Sequence, residues 1–268
     1  MLVDYHMHPR AQAAGGIEEI DHTVEAVERY VEVAVARGVD EIGFTEHVYY
    51  FAETRSFWEL PYQLDRCRHS LDAYCDAILE GKRRGLPVKL GLEVDWLPGR
   101  ADELAALLEP YPWDYLLGSV HWIDGLAVDS RPGIWEALPR EDVWTRYAAE
   151  LAAAARSGHF DVLAHPDLVK IFGDREPFDW VDTVAAMDGV CVEISSAGLH
   201  KPVGELYPSR ELLALARAAG VEITIASDAH LAENVGRDLE RAVELARETG
   251  YETVTVFDGR RRRQEPLG

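Results

Sequence analysis

Residues 2–8 read L-V-D-Y-H-M-H, an apolar opening that closes on two histidines one residue apart. Side chains alternate along an extended strand, so His6 and His8 share one side of it. Six further β-branched or apolar runs follow, at Glu41–Thr45, Val88–Val94, Tyr115–His121, Asp161–Ala164, Val190–Ile194 and Glu222–Ala226. After each run comes an amphipathic stretch, near 18–37, 63–84, 101–109, 141–157, 179–187, 208–219 and 236–249. Gly38, Gly158, Gly220 and Gly250 stand where helix stops belong. Strands alternating with longer helices predict βαβ units and a parallel sheet.

Seven such units in 268 residues point to a closed (β/α) barrel. A doubly wound sheet would more often carry a glycine-rich phosphate loop after its first strand, and neither G-x-G-x-x-G nor G-x-x-x-x-G-K-[ST] is present. Thr253–Phe257 is left as either an eighth barrel strand or a peripheral one. No repeat, low-complexity tract or linker breaks the chain, and Gly15–Gly16 and Phe51–Leu60 read as barrel loops. Residues 1–268 are therefore expected to form one domain.

The functional signal is where the polar residues fall. His6 and His8 end the first run, His47 follows the second, and Glu93 closes the third. His121 closes the fourth and His165 the fifth, while Asp228 and His230 close the seventh as D-A-H. In a parallel barrel all strand C-termini open onto one face, so these eight groups converge. As ordinary core residues each would need a buried partner, at about 1–3 kcal/mol when unsatisfied. As ligands, six imidazoles and two carboxylates suit zinc, manganese or iron rather than calcium or magnesium. Eight ligands exceed one tetrahedral ion and suit two or three ions, with Glu93 and Asp228 as bridges.

The motifs D-Y-H-M-H, F-T-E-H, G-L-E-V-D, G-S-V-H-W, L-A-H-P-D and S-D-A-H resemble, in order over residues 4–230, those of the PHP family of barrel metallophosphoesterases. The segment E-I-S-S-A-G-L-H-K-P-V-G-E-L-Y-P-S, 193–209, resembles its histidinol-phosphatase branch. The resemblance implies a distorted (β/α)7 barrel, a trinuclear centre, and hydrolysis of L-histidinol phosphate in histidine biosynthesis. Many relatives carry a further ligand six residues after the H-x-H, where this chain has Ala14; Glu46, Gln12 and His22 are candidates to stand in for it.

A phosphate monoester must also be gripped from beyond the metal cluster. Arg10, Lys170, Ser195, Ser196, His200 and Lys201 follow strand ends and are expected to bind substrate. Tyr49, Tyr50, Phe51, Trp96, Trp122 and Tyr207 are candidate walls for an imidazole. The expected chemistry is attack by a hydroxide held on the ions, with Asp228 in the catalytic set and His230 or His200 protonating the leaving alkoxide. Competing readings are a nucleotide or phosphotyrosine substrate, a deaminase-type barrel (which places a bridging Lys where His121 stands), and a non-catalytic, metal-stabilised partner-binding barrel.

The resemblance implies a small phosphorylated substrate as the partner, and composition excludes other classes. With 27 Lys and Arg against 48 Asp and Glu, the net charge of −21 argues against nucleic acid and anionic membranes. The start, MLVDYHMHPR, lacks the pattern of a signal peptide, and Cys67, Cys75 and Cys191 form no close pair. Both features fit a cytoplasmic protein with reduced thiols. The acidic stretch Glu18–Glu32 reads as a solvated helix face, and Arg260–Arg263 as a short basic run pairing with the acidic surface.

Overall fold

A computed structural model describes residues 1–12, 18–130, 133–173 and 178–268; Ala14, Gly15–Gly16 and the Gln12 side chain lie outside what it describes. Strands β1 (Val3–Asp4), β2 (Glu41–Phe44), β3 (Val88–Asp95), β4 (Tyr115–Ser119), β5 (Val162–Leu163), β6 (Cys191–Ser195) and β7 (Ile223–Ala226) pair in sequence order, all in parallel. Past the end of β1, the Tyr5 amide donates to the Ile225 carbonyl at 3.1 Å and Met7 bridges Ala229, which curls the sheet into a barrel. After each strand comes a main helix, α1 (Val24–Ala36), α2 (Leu71–Arg83), α3 (Ala101–Leu108), α4 (Arg140–Arg156), α5 (Val181–Ala185), α6 (Arg210–Ala218) and α7 (Leu239–Glu248), with single turns at Pro61–Leu64 and Ile134–Ala137 preceding α2 and α4. The distorted (β/α)7 barrel expected from the sequence is the fold.

Helix boundaries follow local chemistry. The Thr23 hydroxyl caps α1 by accepting the Ala26 N–H at 3.2 Å, and Ala26, Val27, Tyr30, Val31 and Ala34 make its buried stripe. The helix therefore starts later than the periodicity predicts. Glu18–Ile20 instead pairs antiparallel with Arg10–Gln12, so the acidic helix face is shorter than expected. The stretch at 63–84 is split into a single turn, Pro61–Leu64, and α2, because Ser70 caps Ala73 and starts a new helix. Gly38 ends α1 with φ +74°, a conformation costly for residues with a Cβ.

Thr253–Phe257 is peripheral. It belongs to β8 (Thr253–Asp258), which forms an antiparallel hairpin with β9 (Arg261–Pro266). Its Phe257 ring stacks on Tyr115 at 5.4 Å, and Tyr115 stacks on Tyr5 at 5.1 Å, closing the N-terminal end of the barrel. The Tyr115 hydroxyl crosses the interior to donate to the Tyr5 carbonyl at 2.7 Å. A Cβ at Gly43 would collide with that hydroxyl, which accounts for a glycine inside β2. Arg260 pairs with Asp161 at 2.9 Å and Arg262 with Glu222 at 3.3 Å, as the basic run predicted. Such exposed pairs contribute little, about 0–1 kcal/mol. Buried Val254, Val256 and Phe257 do more to seat the hairpin.

The seam between the last and first strands hangs on Asp4. Its buried carboxylate accepts from the Ser227 N–H at 2.8 Å, the Ser227 hydroxyl at 2.6 Å and the Gly236 N–H at 2.7 Å. Asp4→Ala would strand two amides and a hydroxyl in the interior. We expect a loss of about 3–5 kcal/mol in denaturant unfolding, with Asp4→Asn milder because its carbonyl still accepts.

Candidate metal centre

Glu93 stands at the middle of the C-terminal mouth, 1 % exposed. Its oxygens lie 2.6 Å from His47 Nδ1, 3.1 Å from His165 Nε2, 3.4 Å from His121 Nε2, 3.5 Å from His6 Nε2 and 3.7 Å from His8 Nε2. Asp228 faces the same cluster, with Oδ1 3.3 Å from His8 Nε2 and 3.7 Å from both His6 Nε2 and His230 Nδ1. The strand ends bring these groups together as the barrel geometry requires. At two of them, His165 (φ +27°) and Asp228 (φ +53°), the chain turns sharply through left-handed backbone. This region is sparsely used by residues with a Cβ, although His and Asp tolerate it better than most.

A second ring of carboxylates stands behind the imidazoles. Glu193 lies 2.8 Å from His6 Nδ1, Glu46 3.1 Å from His8 Nδ1, and Asp95 2.9 Å from His121 Nδ1. Each such contact fixes a ring's orientation and leaves its Nε2 aimed inward. The inward atoms lack partners: His6 Nε2, His8 Nε2, His47 Nδ1 and Glu93 Oε2 are buried and make no hydrogen bond. His47 Nδ1 and Glu93 Oε2 approach closely but out of hydrogen-bond alignment, as donors facing a shared cation would. His8, His47 and His230 have donor atoms within 4.8 Å of one another, as do His6, His165 and Asp228, the trio His6, His8 and Glu93, and the trio His47, Glu93 and His121. Buried, unpaired nitrogen and oxygen donors in this number fit divalent ions.

Electrostatics point the same way. Burial opposes charge on Glu93, yet His47, His6 and His121 hold it well below the ordinary carboxylate range. Burial likewise opposes charge on Asp228, and His6, His8 and His230 overcome it. Around His121, burial is outweighed by Glu93 and Asp95, which push the imidazole up to about 10. Against burial, the carboxylates also push His6 and His8 up, whereas burial and the neighbouring His8 push His47 down and His230 down to about 3, so the cluster mixes charged and neutral imidazoles.

Above it opens a polar cavity of about 380 Å³, lined by His47, Glu93, His121, His165, Asp228 and His230 together with the rim of the barrel. A larger cavity of about 610 Å³, between α3, Trp113, Phe160 and Arg260, is mostly apolar and lacks converging donors, so the chemistry belongs to the smaller one. The PHP domain profile matches residues 4–197, a span that includes Glu93 and five of the six histidines of the cluster.

The chain belongs to the PHP family.

It is 32% identical over 275 residues to a probable histidinol-phosphatase of Deinococcus radiodurans, covering 99% of each chain. The crystal structure of histidinol phosphate phosphatase from Lactococcus lactis, complexed with zinc, L-histidinol and phosphate, matches with a TM-score of 0.75 at 20% identity over 98% of both chains. A putative histidinol phosphatase from Listeria monocytogenes gives 0.73 at 20% identity, over 89% of this chain and 99% of its own. These two structural matches describe the PHP barrel's fold.

The rim of this PHP barrel sorts the remaining expected residues. Arg10 and Lys201 line the cavity, and the Arg10 guanidinium lies 4.9 Å over Tyr50 and 3.2 Å from Glu46. Lys170, Ser195, Ser196 and His200 are not part of its lining. Lys170 donates to the Leu206 carbonyl at 2.7 Å and meets Asp167 at 2.9 Å. The Ser196 hydroxyl donates to the Arg237 carbonyl at 2.6 Å, the Ser195 hydroxyl accepts the Ala197 N–H, and His200 Nε2 sits 2.6 Å from Asp238. These four hold the loops together.

Tyr49, Tyr50, Trp122 and Tyr207 wall the cavity, whereas Phe51 packs on Tyr74 and Trp96 bonds Glu150. Glu46 supports His8 and Arg10, and its other oxygen faces His22 Nε2 at 3.5 Å. Glu193, Asp95, Tyr62, Arg66 and Asp129 were not singled out from sequence. Glu193 is a lone carboxylate inside an apolar run, and Asp95 shares the strand face of Glu93; both signals are legible. No sequence signal marks Tyr62 or Arg66.

Two outcomes follow for metal binding. Glu193→Ala should weaken zinc affinity about 10- to 100-fold, with Glu193→Gln less affected, in competition against a chromophoric chelator. An ion that binds His121 must displace a proton held up to about pH 10, so affinity rises with pH. Zinc should bind at least about 10-fold more weakly at pH 6 than at pH 8, and a flat profile would count against His121 as a ligand.

Proposed function

We propose that this chain is a metal-dependent phosphomonoesterase that hydrolyses L-histidinol phosphate to L-histidinol and phosphate, a step of histidine biosynthesis. The observation that carries the chemistry is the buried Glu93, ringed by five imidazoles and opened to a polar cavity. The kinship with the Deinococcus protein, which spans the whole chain, supports the substrate. Residues 1–268 act as one barrel unit. Buried, free Cys67, Cys75 and Cys191 fit the cytoplasm, and no helix among the described residues is long and apolar enough to cross a membrane.

His6, His8, His47, Glu93, His121, His165, Asp228 and His230 would hold two or three divalent ions, zinc, iron or manganese. When bound, such ions lower the pKa of water and offset the charge on phosphoryl oxygens. Arg10 and Lys201 draw the phosphate dianion into the mouth, and the tyrosine wall restricts water around it. Water adds to phosphorus, the ester P–O bond breaks, and the alkoxide takes up a proton. His230, which lines the cavity, or His200, whose Nε2 lies 2.6 Å from Asp238, is the proposed donor of that proton.

Phosphate release from L-histidinol phosphate by the metal-loaded protein tests this, beside a nucleotide monophosphate and phosphotyrosine. Histidinol phosphate should have the highest kcat/KM, and preference for either rival would overturn the substrate. His6→Ala and Asp228→Asn should each lower kcat/KM more than about 100-fold, beyond the range of supporting residues. Loss of metal with no hydrolysis to lose would favour a structural, partner-binding barrel.

A further inference from the structure

The cavity holds a carboxylate that the ion cluster does not use. Glu93 and Asp228 serve the cluster; among the described residues, Asp129 is the other acidic side chain in the lining. Its position is fixed by backbone. The Val128 N–H donates to the His121 carbonyl at 2.9 Å, so the next residue stands beside the end of β4. Asp129 also contributes to the electrostatic field at His121 and at Tyr207, which both line the same cavity. Among the described residues, the cationic side chains of the lining are Arg10, Arg66 and Lys201, and the guanidiniums of Arg10 and Arg66 lie over Tyr50 and Tyr62. Among the described residues, the mouth therefore carries separate positive groups and one carboxylate outside the ion cluster.

That pairing has a chemical meaning. A phosphate monoester alone needs only cations at the rim, and an extra carboxylate there would repel it. A carboxylate becomes useful when the substrate also carries an ammonium group close to its phosphate. On the substrate class proposed above, the amine sits on the carbon next to the ester-bearing carbon, so it must lie near the ion cluster, where Asp129 stands.

We propose that Asp129 binds the substrate's ammonium group and makes the enzyme selective for amino-alcohol phosphates. It is a specificity residue of the site already described, and the assignment rests on that substrate reading.

The test compares L-histidinol phosphate with its deamino analogue, the same imidazole phosphate without the amine, on metal-loaded protein. The wild type should prefer the amine-bearing ester by about 10- to 100-fold in kcat/KM, the range of a charge-assisted contact, with most of the difference in KM. In Asp129→Asn that ratio should fall to within about twofold of unity. Asp129→Glu should restore part of it, and Asp129→Lys should reverse it. A wild-type ratio that persists in Asp129→Asn and Asp129→Lys overturns the assignment while leaving the substrate intact. If the wild type cleaves neither ester, the substrate reading falls, and this assignment with it.

Discussion

A carboxylate with 1 % of its surface exposed sits at the centre of this protein, and the rest of the structure is arranged to make that tolerable. Placing Glu93 in a low-polarity interior is expensive unless opposite charge surrounds it. Five imidazoles surround it, of which His6, His8 and His121 are pushed toward the charged form, and behind these three stands another carboxylate, Glu193, Glu46 or Asp95. Alternating layers of negative and positive groups run outward from Glu93 until Arg10, beside Glu46, reaches the cavity. Removing one group from such an array leaves its neighbour unpaired, so the layers depend on each other.

The barrel is what makes this array possible from a chain of modest size. Each strand delivers one or two groups to the same face, and the connections can vary without disturbing the delivery. The loop after β2 is the longest elaboration, giving Tyr49, Tyr50, Tyr62 and Arg66 to the rim. Strand β1 shows the limit of regularity. It is two residues long by hydrogen bonding, yet His6 and His8 are both fully buried and correctly placed, because Met7 and Tyr5 are pinned to the last strand.

Much of this was legible in the sequence because barrel strands end on a common face, so histidines at run ends carry three-dimensional information. That rule located the eight-residue cluster without any contact being known. It says less about residues beyond the strands. Lys170, Ser196 and His200 were expected to bind substrate, and in the structure their side chains meet the Leu206 carbonyl, the Arg237 carbonyl and Asp238, because a loop residue's direction is set by its neighbours. Boundaries slipped for a similar reason: Thr23 and Ser70 start helices by local capping that overrides the periodic signal on either side. Tyr62 and Arg66 reach the mouth through the fold of a long loop, which no short-range pattern encodes.

The aromatic floor has a bearing on traffic. Tyr5, Tyr115 and Phe257 are stacked and buried across the N-terminal end, so that among the described residues they block passage beneath Glu93. The pocket is a dead end with a single door. Whatever enters must present its reacting group first to reach Glu93 and its imidazoles. For an ester split in this pocket, alcohol and phosphate share the one mouth that admitted their parent.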